Sequence, residues 1–386
     1  MAEVQEHFGR FAAGHGHLGL YARISRGVAG DAQCAELLLH ARPGQARPVL
    51  WLAALHDLVL RRPDVAAARW YPSVVGADAV PVGDPWPDVR DTVLAHADEL
   101  REAIATRTTQ TNEVGRSVYV TAGLARAAAD LPGRPVVLVE LGASAGLLLA
   151  VDRYRTELLV EGEQPVVLGD PDSTVVSRGR LVGRGRLGSP STHPLPSVVG
   201  RSGLDLDPVD LDDDDRRRWL EACLWPDVPG RVERFRAAAE IVRAHPSPLL
   251  RGDLVDDVHR AVDLAAGRAV ADAGGRPHVV VLTSWALTYV DNGRRVELAR
   301  RFAVLARELG EVTWLSAEPP GCVPGLPSPN RSEAQAETVL AVRRWRAGRE
   351  WEPALLGTAH PHGEWVSLRR AAPPPAPPPP TTPRTG

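Results

Sequence analysis

The chain has 386 residues, of which 44% are hydrophobic and 24% charged, a balance typical of a globular protein. All 45 basic residues are arginine, which excludes a Schiff-base lysine and a lysine-bearing phosphate loop. The formal net charge of −3 argues against a nucleic-acid binder. Cys34, Cys223 and Cys322 are scattered, so we expect no disulfide framework and no metal site. No apolar run reaches the length of a membrane span, and we expect a cytoplasmic protein without membrane contact.

The first 130 residues show helical patterns and no convincing strand. Apolar residues after the turn at 84–87 have helical spacing, namely Val89, Val93, Ala97, Leu100 and Ile104. A second helical stretch covers 114–129 and follows the polar segment 107–113. We therefore expect residues 1–130 to form a helical N-terminal cap region.

From residue 131 onward, short β-branched runs alternate with helical patterns. The predicted strands are 136–141, 165–168, 198–206, 249–252, 278–283 and 311–316, and the predicted helices are 147–158, 216–244, 256–271 and 294–309. This alternation predicts an α/β fold with a mostly parallel sheet covered on both faces. We expect this domain to span 131–370, with an insertion around 160–200. Residues 371–386 are proline-rich and predicted to be a disordered tail.

The most informative segment, VVLVELGASAG at 136–146, combines a strand, a turn of small residues and the start of a helix. Small residues at Gly142, Ser144 and Gly146 would let a ligand approach the backbone, with helix N–H groups pointing toward it. The same residues fit the pattern G-x-S-x-G, in which Ser144 would be a nucleophile on a strained turn. The spacing alone does not separate these two interpretations.

Acidic residues at the ends of successive predicted strands favour a nucleoside cofactor. Glu140, Asp205 and Asp253 follow three strands in chain order. Carboxylates suit the hydroxyl groups of a ribose because each oxygen accepts a hydrogen bond, and they suit an amino group by charge.

Two other site chemistries stay open. A serine hydrolase would need a late histidine such as His360 or His362, but the upstream candidate for its oxyanion loop, at 15–17, lies in the helical region. A nicotinamide site is weaker, because the pattern G-x-G-x-x-G is absent, although Glu161 and Glu163 have suitable spacing for a ribose ligand.

The motif series resembles that of class I S-adenosylmethionine-dependent methyltransferases over residues 131–320. The matching pieces are the turn at 140–146, then GLDLDP, RGDLVDDV and HVVVLTSWALTYV. The resemblance implies a Rossmann-like three-layer α/β/α methyltransferase-type sheet with a helical N-terminal region. It also implies S-adenosylmethionine as cofactor and a small-molecule methyl acceptor. A non-catalytic nucleoside-binding protein is the further alternative.

The same resemblance implies residue roles. The methionine part of the cofactor would be held by Glu140, Gly142, Ser144 and Gly146, with Asp205 at the ribose and Asp253 beside the adenine. Thr283, Ser284 and Trp285 would face the transferable methyl group. The sequence departs from the family pattern at Ser144, which stands where a glycine is usual, and in the long stretch before Asp205. Asp170 is the alternative ribose ligand if 165–168 is the second strand of the cofactor fold.

Over its whole length the chain resembles the bacterial domain-of-unknown-function family 2332. The shared pieces are FGRF, PGQARP, TQTNEVGR, VELGASAGL, GLDLDP and HPHGEW.

Further candidates lie in the polar segment before the second helix and near the end of the chain. At 110–116, the local pattern predicts either a capped helix start or a polar cluster over the cofactor cleft, with Asn112 and Arg116 binding substrate and Glu113 in catalysis. His360 or His362 could act as a general base, since an ordinary imidazole pKa is near 6.5. In an extended segment their rings would point in opposite directions and share no metal. Glu318 follows a strand and is predicted to bind substrate.

Overall fold

The computed structural model describes residues 1–128, 133–183, 195–269, 277–326, 337–351 and 353–369. The proline-rich tail and the predicted boundary at 130–131 lie outside these residues. In the described ranges, helices occupy the chain up to residue 128 and the strands come after residue 135, which confirms a mixed α/β fold. None of the helices in these ranges has the length and apolar character needed to cross a membrane.

The N-terminal helices enclose a core of their own. Their bounds are α1 Ala2–Gly14, α2 Gly19–Gly30, α3 Ala32–Glu36, α4 Pro48–Arg61, α5 Pro72–Val75, α6 Trp86–Ala95 and α7 Ala97–Thr106. Proline at the first position of α4 and α5 fits there because that N–H has no partner inside the helix. Phe8, Tyr21 and Trp51 fill the core, and Trp219 from the later α/β part packs into it.

The remaining elements alternate between helices and strands. The helices are α8 Ser117–Ala128, α9 Asp214–Ala222, α10 Arg231–Ala244, α11 Val258–Ala269 and α12 Asn292–Leu309. The strands are β1 Val136–Leu141, β2 Arg155–Leu159, β3 Val166–Gly169, β4 Val176–Val182, β5 Val198–Asp205, β6 Leu249–Arg251, β7 His278–Ser284, β8 Glu311–Glu318, β9 Thr338–Arg346, β10 Arg349–Glu350, β11 Ala354–Ala359 and β12 Trp365–Leu368.

The described strands form one sheet in the order β3-β2-β4-β12-β11-β9-β8-β7-β1-β5-β6, with β10 paired to β9. The run from β8 to β6 is parallel throughout, whereas β9 is antiparallel to β8. Alternate side chains of β1 point to opposite faces. Val136 and Leu138 pack with α8 and α10, and Val137 and Val139 pack with α11 and α12. The apolar run at 136–141 is therefore buried on both faces, as parallel strands require.

Two predicted helices differ from the structure. The stretch 147–158, predicted as one helix, is a short 3-10 helix, Leu147–Arg153, followed by β2. Thr156 and Leu158 are buried and β2 pairs with both β3 and β4, so tertiary pairing overrides the local helical pattern. The stretch 216–244 divides into α9 and α10, because Pro226 and Pro229 interrupt the intervening segment.

The neighbour of β1 is the strand that ends in Asp205. β5 pairs with β1 in parallel, whereas β3, which precedes Asp170, lies at the opposite edge of the sheet. This removes Asp170 as the alternative ligand at the β1 edge. The six predicted strands, including those at 249–252, 278–283 and 311–316, are confirmed with bounds shifted by up to a few residues.

The hairpin of β11 and β12 places its turn, residues 360–364, against the start of α8. Gly363 has a φ of 83°, and a Cβ there would lie 1.9 Å from the carbonyl oxygen of Gly115. The two backbones touch because neither glycine carries a side chain.

We expect Gly363→Ala to lower the free energy of unfolding by about 2–4 kcal/mol, since it adds backbone strain to a backbone clash. Gly162→Ala is the matched control: Gly162 has a φ of 72°, but no atom of the described residues lies within 4 Å of a Cβ added there, so this change should cost only about 1–2 kcal/mol. Denaturant unfolding measures both. Equal losses in the two variants would contradict the close contact.

Candidate functional site

The carboxyl ends of the parallel strands bring the predicted acidic residues to one edge of the sheet. Glu140 in β1 is level with Gly203 in β5 and Leu282 in β7. Asp205 ends β5, and Asp253 follows β6, which pairs with β5. This is the edge at which open α/β sheets bind ligands.

The turn at 142–146 is fixed by hydrogen bonds to β5. Ser144 donates its backbone N–H to Oδ2 of Asp205 at 2.8 Å, and Gly142 donates to the carbonyl of Leu204 at 2.8 Å. Gly142 has a φ of 78°, and a Cβ there would lie 2.6 Å from that of Ala286. Only glycine fits this position, because both the backbone conformation and the contact exclude a side chain.

The polar segment 110–113 covers the glycine turn. The hydroxyl of Ser144 donates to Oε1 of Gln110 at 2.5 Å and accepts from Nδ2 of Asn112 at 3.0 Å. No histidine of the described residues hydrogen-bonds to Ser144, so a general base for nucleophilic attack is not in place there. The predicted polar cluster over the cleft is thus formed in part by Gln110 and Asn112.

Glu140 is buried beneath this cover with an unsatisfied oxygen. Its exposed fraction is 4%, and Oε2 has no hydrogen-bond partner among the described residues. Burial, together with the Asp205 carboxylate, raises the pKa of Glu140 well above its ordinary range, against the opposing effect of Arg116. Glu140 and Arg116 line a cavity of about 30 Å³, whose other walls include Asn112, Glu113, Ser144 and Ser284.

The turn after β7 carries backbone strain and is held by Glu318. Trp285 has a φ of 59°, an uncommon conformation for a bulky residue, and its indole donates to Oγ1 of Thr338 at 2.9 Å. Ala286 and Leu287 each donate a backbone N–H to the Glu318 carboxylate at 3.2 Å. Glu318 is fully buried, so it supports this turn and is not placed to contact substrate as predicted.

Arg116 connects the turn after β7 to α8. Its Nη1 donates to the carbonyl of Ser284 at 3.3 Å, and its guanidinium lies 5.8 Å from the ring centre of Trp285. The Ser284 hydroxyl is 3.3 Å from that of Tyr119, which also donates to the carbonyl of Pro361 at 3.4 Å. These contacts bring Ser284 to the same small cavity as Glu140.

Glu113 joins three parts of the chain. It accepts the N–H of Gly115 at 2.8 Å and so caps the short 3-10 helix Val114–Arg116. Its Oε2 also lies 2.6 Å from Nε of Arg231 and 3.8 Å from Nδ1 of His362. Glu113 is 4% exposed, so its charge is balanced by buried partners rather than by water.

His360 and His362 lie in a turn, not in an extended segment. Their ring centres are 5.7 Å apart, and the opposite ring directions expected of an extended segment do not apply to this turn. The backbone N–H of His362 donates to Nδ1 of His360 at 3.3 Å, which stabilises the turn. Burial, followed by the charges of Arg231 and Arg116, lowers the pKa of His362 to about 2. His362 is therefore neutral and a weak base.

Asp253 is engaged by its own loop and by α12. Its Oδ1 accepts from the N–H of Val255 at 2.8 Å and lies 2.5 Å from Nη2 of Arg294.

Leu206, the residue after Asp205, is 70% exposed beside this edge. Gly146, with a φ of 71°, starts the 3-10 helix behind the turn.

Sequence reasoning missed the role of Arg231 and the left-handed backbone of Trp285. Arg231 is far from Glu113 in sequence and follows an unremarkable proline-rich turn, so only folding brings the two together. The left-handed backbone of Trp285 leaves no local sequence signal, although Ser284 and Trp285 were both expected near the reacting group. In the described ranges, no group of three or more His, Cys, Asp or Glu side chains is arranged to hold a metal ion.

We expect Glu318→Gln to flatten the pH dependence of stability. Burial raises the pKa of Glu318 from 4.5 to about 7, so the folded state retains a proton that the unfolded chain loses above 4.5. The free energy of unfolding therefore falls by on the order of 3 kcal/mol as the pH rises from 4.5 to about 7. Glu318→Gln removes that contribution.

Denaturant unfolding at a series of pH values measures this effect. Glu364→Gln, whose side chain is 65% exposed, is the control and should retain the wild-type profile. If the stability of Glu318→Gln depends on pH as that of the wild type does, the carboxyl group of Glu318 does not titrate in this pH range.

Comparison with known proteins identifies the family. Residues 5–368 match the bacterial family described as "Uncharacterized protein conserved in bacteria (DUF2332)". No curated protein matches the chain. Among solved structures, the sugar N-methyltransferase KedS8 from Streptoalloteichus sp ATCC 53650 is similar, with 14% sequence identity over 63% of this chain and 74% of that chain. Its TM-score of 0.21 supports no inference about this chain. By the match over nearly its whole length, the chain belongs to the DUF2332 family.

Proposed function

We propose that the protein transfers a methyl group from S-adenosylmethionine to a small-molecule acceptor. The observation that carries this proposal is the buried, unsatisfied carboxylate of Glu140 beside the glycine turn, with Asp205 at the end of the adjacent strand. The parallel order β6-β5-β1-β7-β8 with helices on both faces supports a Rossmann-like three-layer sheet of the methyltransferase type.

The charges at the site fit this cofactor. The amino-acid end of S-adenosylmethionine carries an ammonium group. Oε2 of Glu140 has no hydrogen-bond partner among the described residues, and this ammonium group would donate to it. Asp205 uses each oxygen for one backbone N–H, from Ser144 and Asp207, at 2.8 Å. Each carboxylate oxygen has a second lone pair, so both can still accept from ribose hydroxyls. The exposed Leu206 offers an apolar surface to an aromatic base.

The size of the cavity limits how the cofactor would lie. About 30 Å³ at Glu140 is too small for a nucleoside. The amino-acid end would therefore enter the cavity, with Gln110 and Asn112 giving way, and the nucleoside would follow the open edge past Leu206 toward Asp253.

In methyl transfer the protein chiefly aligns the reactants. The bound cofactor supplies an electrophilic methyl group on a cationic sulfur. Good alignment of donor and acceptor lowers the barrier by up to about 7–11 kcal/mol. Ser284 lines the cavity at Glu140, and the strained turn that follows it is held by two backbone hydrogen bonds to Glu318. His362 lies 3.8 Å from Glu113, but its lowered pKa makes it a poor proton acceptor, so the proposal gives it no proton-transfer role.

We expect binding of S-adenosylhomocysteine, the demethylated product, to release a proton at pH values between the ordinary pKa of a glutamate carboxyl group and the raised pKa of Glu140 in the free protein. An ammonium group beside Glu140 favours the ionised carboxylate and so reverses the raised pKa of the free protein. Calorimetric titration in buffers of different ionisation enthalpy measures the proton count. Glu140→Gln should bind more weakly and release no proton at this site. Proton release unchanged by Glu140→Gln would rule out this contact.

We expect Asp205→Asn to weaken S-adenosylhomocysteine binding by roughly 10–100-fold, the cost of losing charge-assisted hydrogen bonds to two hydroxyls. Asp170→Asn makes the same change on the far edge of the sheet, where the Asp170 side chain accepts from the N–H of Asp172 in its own turn, and this variant should bind as wild type. The same titration measures both. Equal affinities in the two variants would reject Asp205 as the ribose ligand.

One observation favours hydrolysis as the second candidate. Ser144 has a φ of 50°, the left-handed conformation that a nucleophile in a G-x-S-x-G turn adopts. Its present partners are two amides and not a histidine. Labelling by a fluorophosphonate in the wild type, abolished in Ser144→Ala, would support the hydrolase. Binding of S-adenosylhomocysteine without turnover would instead indicate a non-catalytic nucleoside-binding protein.

A further inference from the structure

A second, larger cavity lies on the other side of the Glu113 turn. Its volume is about 710 Å³, within the range of small-molecule sites. The start of α10, the strand β4 and the turn at 360–364 surround it, and its lining includes Gly115, Arg178, Arg231, Arg234, His362 and Glu364. None of the predicted cofactor ligands lines it.

Two guanidinium groups at this cavity retain unused donors. Arg231 is 6% exposed and contacts Glu113 through Nε, and Arg234 lies 3.7 Å from the same carboxylate. Among the described residues, Nε of Arg234 is buried without a hydrogen-bond partner, and the buried Nε of Arg231 contacts Glu113 without the geometry of a hydrogen bond. Such donors are costly to leave unpaired in a protein interior.

Positive charge exceeds negative charge in the buried part of the cluster. Arg231 and Arg234 lie against Glu113, and the charge of Arg116 acts on Arg231 as well. The carboxylate of Glu364 is at the rim, where its side chain is 65% exposed, and that of Glu233 is exposed as well. Arg178 is already paired with Glu157 at 2.6 Å and adds no surplus. The lowered pKa of His362, caused partly by Arg231 and Arg116, reports the same excess.

The helix α10 adds to this electrostatic field. It has fourteen residues and begins at the cavity after Gly230, which provides no side-chain cap for its first N–H groups. The positive end of the helix dipole therefore faces the same space as the two arginines.

We propose that this cavity binds the oxyanion group, a carboxylate or a phosphate, of a small anionic molecule. Guanidinium groups suit such ligands because their paired N–H donors match two oxygens of one group. If the protein is the methyltransferase proposed above, this anion is the methyl acceptor, and that role rests on the proposed function. Glu113 lines the small cavity at Glu140, and Gly115, two residues further on, lines the large one, so the two cavities lie on either side of the same short segment.

The test is calorimetric titration of the full chain with inorganic phosphate and, separately, with succinate. We expect at least one of them to bind the wild type and Arg234→Gln to weaken that binding by ~10-fold or more, as loss of a charge-assisted donor pair requires. Arg243→Gln is the matched control: Arg243 is on the same helix, pairs with Glu240 and Asp212, and lies outside this cavity. Arg234→Lys, which keeps the charge but not the planar donor pair, should fall between the two.

Each outcome decides the proposal. Tighter binding of phosphate indicates a phosphorylated ligand, and tighter binding of succinate a carboxylic acid. Failure of both anions to bind the wild type, or equal affinities in Arg234→Gln and Arg243→Gln, overturns it. The same variants should bind S-adenosylhomocysteine with wild-type affinity, and such binding would show that they are folded. If S-adenosylhomocysteine binds none of the proteins, the cofactor proposal fails while the anion result stands.

Discussion

The parallel pairing of β1 with β5 on one side and β7 on the other is the constraint on which the site depends. It sets Glu140 level with the ends of its neighbours and lets Asp205 reach the backbone N–H of Ser144. Without a neighbouring strand at this register, the glycine turn would have no partner for its amide groups. The same pairing leaves β3 and Asp170 at the far edge of the sheet.

Around this edge, buried charge holds distant parts of the chain together. Glu113, before α8, contacts Arg231 at the start of α10 and adjoins His362 in the turn between β11 and β12. Removing one partner of a buried pair leaves an uncompensated charge, which costs about 3–5 kcal/mol. The cluster therefore restricts how these three segments can move relative to one another, and it separates the cavity at Glu140 from the arginine-lined cavity.

Backbone strain lies at the same place. Ser144 and Trp285 both have left-handed conformations that cost about 1–3 kcal/mol each and persist only where the surroundings hold them. Asp205 holds the first through a backbone N–H, and Glu318 holds the turn that contains the second. Strain of this kind clusters at binding and catalytic sites, and here it flanks the carboxylate that the proposed cofactor would engage.

The sequence by itself determined the α/β class, the six strands β1, β3 and β5 to β8, and the acidic residues at the ends of three of them, because apolar periodicity and glycine turns are local signals. It could not reveal that 155–159 is a strand, since only pairing with β3 and β4 overrides its helical pattern. Tertiary structure alone brought Arg231 to Glu113 and buried Glu318 beneath the Trp285 turn. Such contacts join residues far apart in the chain, and charge compensation and burial arise only when the layers pack.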